Sequence, residues 1–230
     1  MFIELFAGTL TRYYSEQWQN ARTRAGGEGP FYSATSNNVV TDPVELQGEI
    51  NKWREDCSTK LKEHLPEPLT WQEGMSPPYE VGELSFEGYG GAILLSAYVT
   101  SGYLPRPTTF QKTWNKDVAI ESLANEAKGN TLWEIMNCSL WLPNAFQFGI
   151  GLKDPSGQSM RAGSIEVLWT ALQHLNETNW KASPERIHEW RKIQLNESIS
   201  FDAQSQFGFS VFYEMCKFAR EKRLPMKLHY

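Results

Sequence analysis

Residues able to ligate, attack or transfer protons are sparse and scattered in this chain. Its four His form no H-x-x-x-H or HExxH arrangement, the spacings that set two imidazoles on one helix face around a metal. His174 with Glu177 and His188 with Glu185 come nearest, and at three residues apart on a helix such pairs make surface or capping contacts. No GxSxG occurs, and Cys57, Cys138 and Cys216 lack the electropositive, Gly-flanked settings that lower a thiol pKa. Lying far apart with no CxxC, they read as reduced, buried thiols of a cytoplasmic protein. Gly26-Gly27-Glu28-Gly29 and Gly88-Tyr89-Gly90-Gly91 match neither GxGxxG nor GxxxxGK(S/T), and a Glu beside each would repel phosphate. Both read as turns, so no catalytic residue, metal or cofactor is expected.

Charge is more informative. The chain has 230 residues and a net charge of −5. Residues 63–105 contain no Lys or Arg but hold Glu63, Glu67, Glu73, Glu80, Glu83 and Glu87, enough to account for the whole acidic balance. Trp71, Tyr79, Phe86 and Tyr89 are interleaved with them. Aromatic anchors beside carboxylates suit an interface with a basic protein, the charge steering encounter and the rings supplying buried area. The candidate partner-binding residues are Trp71, Glu73, Tyr79, Glu80, Glu83, Glu87 and Tyr89. The competing reading is a solvated acidic loop with its aromatics in the core. At the other end Lys217, Arg220, Lys222, Arg223 and Lys227 face a single Glu221, basic residues that complement the dipole of a last helix turn.

A chain of pI about 5.5 with one short basic terminus lacks the concentrated positive surface that nucleic-acid binding needs. The longest apolar run, Ala92 to Val99, is too short to cross a bilayer, and MFIELFAG has no basic residue before its apolar ones, so it reads as a strand rather than a signal peptide. The N-x-S/T triplets at Asn137, Asn176 and Asn196 then carry no meaning as glycosylation sites.

Periodicity supplies the elements. The opening strand is apolar on both faces and should lie inside a sheet. Leu10, Tyr14, Trp18 and Ala21 follow at helical spacing, then a long polar loop runs over residues 26–41. Asp42, Pro43 and Glu45 signal a helix start, with Leu46, Ile50, Trp53, Cys57, Leu61 and Leu65 as its core face and Pro66 as its end. Residues 67–91 read as loop with a weak strand at 69–71. Ala92 to Val99 favours a buried helix, and another helix spans 117–128. Met136–Leu142 and Phe146–Leu152 read as a central hairpin turning at Pro143-Asn144, and a short strand at 159–162 pairs back beyond the Asp154-Pro155-Ser156-Gly157 turn. Ser164 and Ser183 cap two helices, a long helix carries Phe207, Val211, Met215 and Phe218, and Met226–Tyr230 alternates like a strand. Trp71, Trp114 and Trp180 fall in loops or at element ends, where an interface role is open. The expectation is one α+β domain over residues 1–230, several helices packed on a mainly antiparallel sheet that includes both termini and the central hairpin.

The strings MFIELFAGTLTRYY, SLWLP and LPMKLHY together resemble those of a group of uncharacterised bacterial proteins of similar length, and the overall organisation is similar to single-domain immunity proteins of toxin systems. That resemblance implies a small cytoplasmic inhibitor that caps a cognate toxin. Together with the charge segregation it points to a non-enzymatic protein whose acidic, aromatic-bearing segment docks on a basic toxin or effector domain, with no nucleic acid and no membrane involved. The alternatives are a small hydrolase or transferase using carboxylates near residues 26–41, and a self-associating structural protein, with a homodimer left open.

Overall fold

The computed structural model describes residues 3–21, 42–125, 131–147, 149–193 and 200–230. The loop at 26–41, its glycine cluster, the triplet at Asn196 and the end of the helix expected at 117–128 lie outside the described residues.

β1 (Glu4–Ala7) leads into a short α1 (Leu10–Tyr14), capped by Thr9, whose side chain accepts from the Arg12 N–H. α2 (Pro43–Lys60) starts at Asp42 with Pro at its first position. β2 (Glu80–Glu83) and α3 (Phe86–Ser101) follow, then a 3-10 turn at Trp114–Lys116, α4 (Val118–Asn125) and α5 (Leu132–Met136). β3 (Leu140–Leu142), β4 (Ile150–Lys153), β5 (Ser159–Ser164), α6 (Ile165–Asn179), α7 (Pro184–Trp190), α8 (Phe201–Lys222) and β6 (Met226–His229) complete the order. The six strands form one mixed sheet, β2-β1-β6-β3-β5-β4, in which only β3 and β5 run parallel. The α+β expectation holds, with both termini adjacent at the sheet centre: Leu5 pairs with Leu228 and Phe6 with Lys227.

Strand alternation splits the core in two. Leu5, Ala7, Trp141, Met226 and Leu228 face the large cluster built with α3 to α8. Leu140, Leu142, Ile150 and Ala162 face the other way, against Leu10 of α1 and Leu46, Ile50 and Cys57 of α2. Helices therefore cover both faces, and the doubly apolar pattern of β1 is the signature of a strand buried on both sides.

Several expectations are corrected. The central hairpin does not form, because β5 inserts between β3 and β4: Leu140 and Ile150 both pair with Ala162. The hairpin that does form is β4–β5, around the Asp154–Gly157 turn. No strand occurs at 69–71, while residues 80–83, expected as loop, form β2. Helix α1 ends at Tyr14 rather than running on to Ala21. Gly88-Tyr89-Gly90-Gly91 is the first turn of α3 and not a loop, because these glycines let α3 and α8 touch backbone to backbone. A Cβ on Gly208 would sit 1.9 Å from the Gly88 carbonyl oxygen, and one on Gly91 would lie 2.6 Å from the Gln204 carbonyl carbon. The close approach outweighs the roughly 0.5–1 kcal/mol that a mid-helix glycine costs relative to alanine. Trp71 and Trp114 are core residues, 7% and 8% exposed, and Trp180 packs edge-on against Trp190 and Phe209.

Candidate functional site

The Lys/Arg-free stretch is continuous in sequence but divided in space. Its first part follows α2 and is tied to the far side of the sheet, where Thr70 N–H donates to Asn144 Oδ1 and Asn144 Nδ2 donates to the Pro68 carbonyl. Glu63 and Glu67 are exposed there. Its second part turns inward. Trp71 is buried beside Trp53 with the Arg54 guanidinium 5.0 Å from its ring centre, and Glu73 is 9% exposed. The Glu73 carboxylate accepts from the backbone N–H groups of Leu10 and Thr11 at 3.1 and 2.9 Å, from Thr11 Oγ1 at 2.7 Å and from Trp71 Nε1. Those N–H groups begin α1 and have no partner within the helix, so Glu73 completes its cap from a distant loop. Neither Trp71 nor Glu73 faces outward, and both are corrected to structural residues.

The third part makes the sheet edge. Among the described residues β2 is one of the two edge strands of the sheet, β4 being the other. Alternation sends Glu80, opposite Ala7, toward the α3–α8 face and Glu83, opposite Glu4, toward the α1 face. Glu87 follows in the first turn of α3, whose cap Ser85 takes φ +55°, a conformation that strains a residue with a Cβ. Tyr79 stacks on Phe6 at 5.9 Å, carries Arg12 over its ring at 4.7 Å and accepts the Gln19 N–H. Tyr89 packs against Trp114 and Phe212, and its hydroxyl donates to Asn137 Oδ1 at 3.2 Å; burial pushes its phenol above the ordinary value of 10.0. Tyr79, Glu80, Glu83 and Glu87 lie along β2 and the first turn of α3, all half-buried, whereas the Tyr89 side chain turns inward to Trp114, Phe212 and Asn137 and does not belong to that edge.

On the α1 face, between the Leu140, Leu142 and Ile150 cluster and a smaller one of Phe6, Tyr13 and Val81, lies a polar centre that no sequence motif announces. Lys227 of β6 is 7% exposed and its Nζ lies 3.3 Å from Asp154 Oδ2. Asp154, 3% exposed, also accepts from Tyr14 Oη at 2.6 Å, Ser156 Oγ at 2.7 Å and the Gln158 N–H at 2.9 Å. Lys227 sits 5.3 and 5.5 Å from the ring centres of Tyr13 and Tyr14, and Tyr13 Oη shares a hydrogen bond with His229 Nδ1 at 2.9 Å. Burial pushes the Asp154 carboxyl up, but hydrogen bonds from Tyr14 and Ser156 and the Lys227 charge outweigh it and hold the group below 3.8. Burial lowers Lys227 below 10.5, opposed by Asp154, and burial with the Lys227 charge lowers His229 below 6.5. Burial and the Asp154 charge raise both tyrosines. In the sequence Lys227 holds the polar position of an alternating terminal strand, which reads as solvent-facing, so nothing there announces its burial. Asp154 reads there simply as the first residue of a turn, so pairing the two requires the sheet order.

With four donors on one carboxylate this centre acts as a clamp joining α1, the β4–β5 turn and the C-terminal strand. Compared with family models, curated proteins and solved structures, the chain matches none. No group of three metal-ligating side chains occurs among the described residues. The three cysteines are unpaired and buried; burial pushes Cys138 up to about 12 and Cys216 higher still, the opposite of a nucleophile. His188 is not held by Glu185: its Nδ1 donates to Glu214 Oε1 at 2.6 Å, and Arg191 holds the other oxygen at 2.7 Å. No helix among the described residues is long and apolar enough to span a membrane.

Proposed function

We propose that the protein is a non-enzymatic binding module of the immunity type, a cytoplasmic bacterial inhibitor that receives a basic toxin or effector domain at the edge formed by β2 and the start of α3. The observation that carries this reading is the placement of a Lys/Arg-free segment at an outer strand and the adjoining helix start: Glu80 and Glu83 on the two faces of β2, Glu87 in the first turn of α3 and Tyr79 before β2 share that edge, and neither element contains a basic residue. Such a surface speeds and orients encounter with a positive partner. Capture from native cytosol, comparing wild type with the Glu80→Lys/Glu83→Lys/Glu87→Lys variant, tests it. A basic protein retained by wild type and lost by the variant supports the reading, and equal retention by both contradicts it.

A second reading, acid/base catalysis, is favoured by the cluster of shifted groups at Tyr13, Asp154, Lys227 and His229. It requires Lys227→Met to abolish a turnover that the protein possesses, while the binding reading requires that variant to keep its partner.

A further inference from the structure

Apart from the β2 edge, the C-terminal end of α3 opens onto a cavity of about 230 Å³ lined by Thr100, Ser101, Tyr103, Ser122, Leu123, Thr131, Trp133 and Glu134. Four of these side chains carry aliphatic hydroxyls, and every one of their hydrogens is already committed. Thr100 Oγ1 donates to the Ser96 carbonyl at 2.7 Å, Ser101 Oγ to that of Tyr98 at 3.1 Å and Ser122 Oγ to that of Ala119 at 3.1 Å. Thr131 Oγ1 donates to Glu134 Oε2 at 3.2 Å. A hydroxyl has one hydrogen and two lone pairs. Thr100 Oγ1 and Thr131 Oγ1 each also accept one backbone N–H, from Trp133 and Glu134 at 3.2 Å, so what the four groups still offer is acceptor capacity alone: one lone pair each on the threonines and two each on Ser101 and Ser122.

The surrounding field has the matching sign. The last carbonyls of α3 lack helical partners and form the negative end of a 16-residue helix that has no basic residue in its last turn. Glu134 is not spare: its Oε1 binds Arg161 at 3.0 Å and its Oε2 caps Thr131, so it offsets the Arg161 cation. Two aromatic walls complete the site. Tyr103 is 70% exposed, and Trp133 Nε1 is shut off from solvent, so its indole meets the cavity through ring carbons. A cation between such rings gains from their negative faces.

We propose that this cavity is a binding site for a guanidinium or alkylammonium group. The volume suits a short cationic chain rather than a drug-sized ligand, which needs roughly 300 Å³ or more. The donors of the cation meet the lone pairs of Thr100, Ser101, Ser122 and Thr131, while its alkyl stem lies against Leu123 and Trp133. The group can belong to a free small molecule or to an Arg or Lys side chain of a protein.

Calorimetric titration of the full chain with n-butylguanidinium, neutral n-butylurea and a capped Gly-Arg-Gly peptide tests the site and separates the two sources. The guanidinium should bind at least tenfold more tightly than the urea. Ser122→Leu, which fills the cavity, should remove that binding, and Tyr103→Ala, at a position exposed enough to spare folding, should weaken it several-fold. Peptide binding equal to that of the free cation identifies a protein side chain as occupant, and exclusion of the peptide identifies a free amine or guanidine. Equal affinity for guanidinium and urea, no binding of either, or undiminished binding by both variants overturns the proposal. The Glu80→Lys/Glu83→Lys/Glu87→Lys variant should titrate like wild type, so failure of the edge reading leaves this result standing.

Discussion

The carboxylates beneath α1 and those at the β2 edge have the same chemistry and opposite surroundings. Glu73 and Asp154 are almost fully buried, and each gathers four hydrogen bonds from backbone and side-chain donors. Glu80, Glu83 and Glu87 are half-buried on an outer strand and a helix start. Burial, not residue type, sets Glu73 and Asp154 apart from Glu80, Glu83 and Glu87, and the proposed function assigns recognition to the second group only. Interior members should govern stability and leave association alone, and edge members should do the reverse.

The sharpest way to break that division is Asp154→Ala, which strands the buried Lys227 ammonium. It should cost about 3–5 kcal/mol in urea denaturation, whereas Asp154→Leu combined with Lys227→Met should cost much less, because removing both charges also removes the desolvation penalty. A single variant as mild as the double would mean that Asp154 does not anchor the clamp. Glu73→Gln keeps the size but replaces the acceptor pair facing the α1 N–H groups, and should cost about 2 kcal/mol by the same measurement.

Acid titration sharpens the comparison further. His229 is held below 6.5 in the folded chain by burial and by Lys227, so the unfolded chain binds more protons as pH falls through 6.5 and stability drops there first. Asp154 and Glu134 are held below 3.8 and 4.5, and their contribution disappears only as pH falls below those values. His229→Gln should flatten the first descent in urea midpoint and leave the second in place. At the edge, Glu80→Lys, Glu83→Lys and Glu87→Lys should each cost about 1 kcal/mol or less, the worth of a partly exposed charge contact or of an acid in a helix's first turn, and well below Asp154→Ala.

How much of this was legible beforehand depended on range. Local signals were sound: Asp42-Pro43, Ser164 and Ser183 each begin a helix, and the Met226–His229 alternation is a strand. Signals that depend on a distant partner misled. The glycines of α3 look like a turn until Gly208 of α8 is placed against them, and β3 and β4 look like neighbours until β5 comes between. For the candidate site, charge segregation singled out Glu80, Glu83 and Glu87, which read as loop in the sequence and lie on an edge strand and a helix start in the fold. It could not separate them from Glu73, whose donors in α1 lie more than sixty positions away, nor reveal Lys227 among the basic residues of the C-terminus.

The central claim is that the β2 edge steers a basic partner, and its most direct test is the association rate of the captured partner as a function of ionic strength. Wild type should associate more slowly as salt is raised. The Glu80→Lys/Glu83→Lys/Glu87→Lys variant should associate about tenfold or more slowly at low salt and lose most of that salt dependence. Identical rates and slopes for the two proteins would contradict the claim.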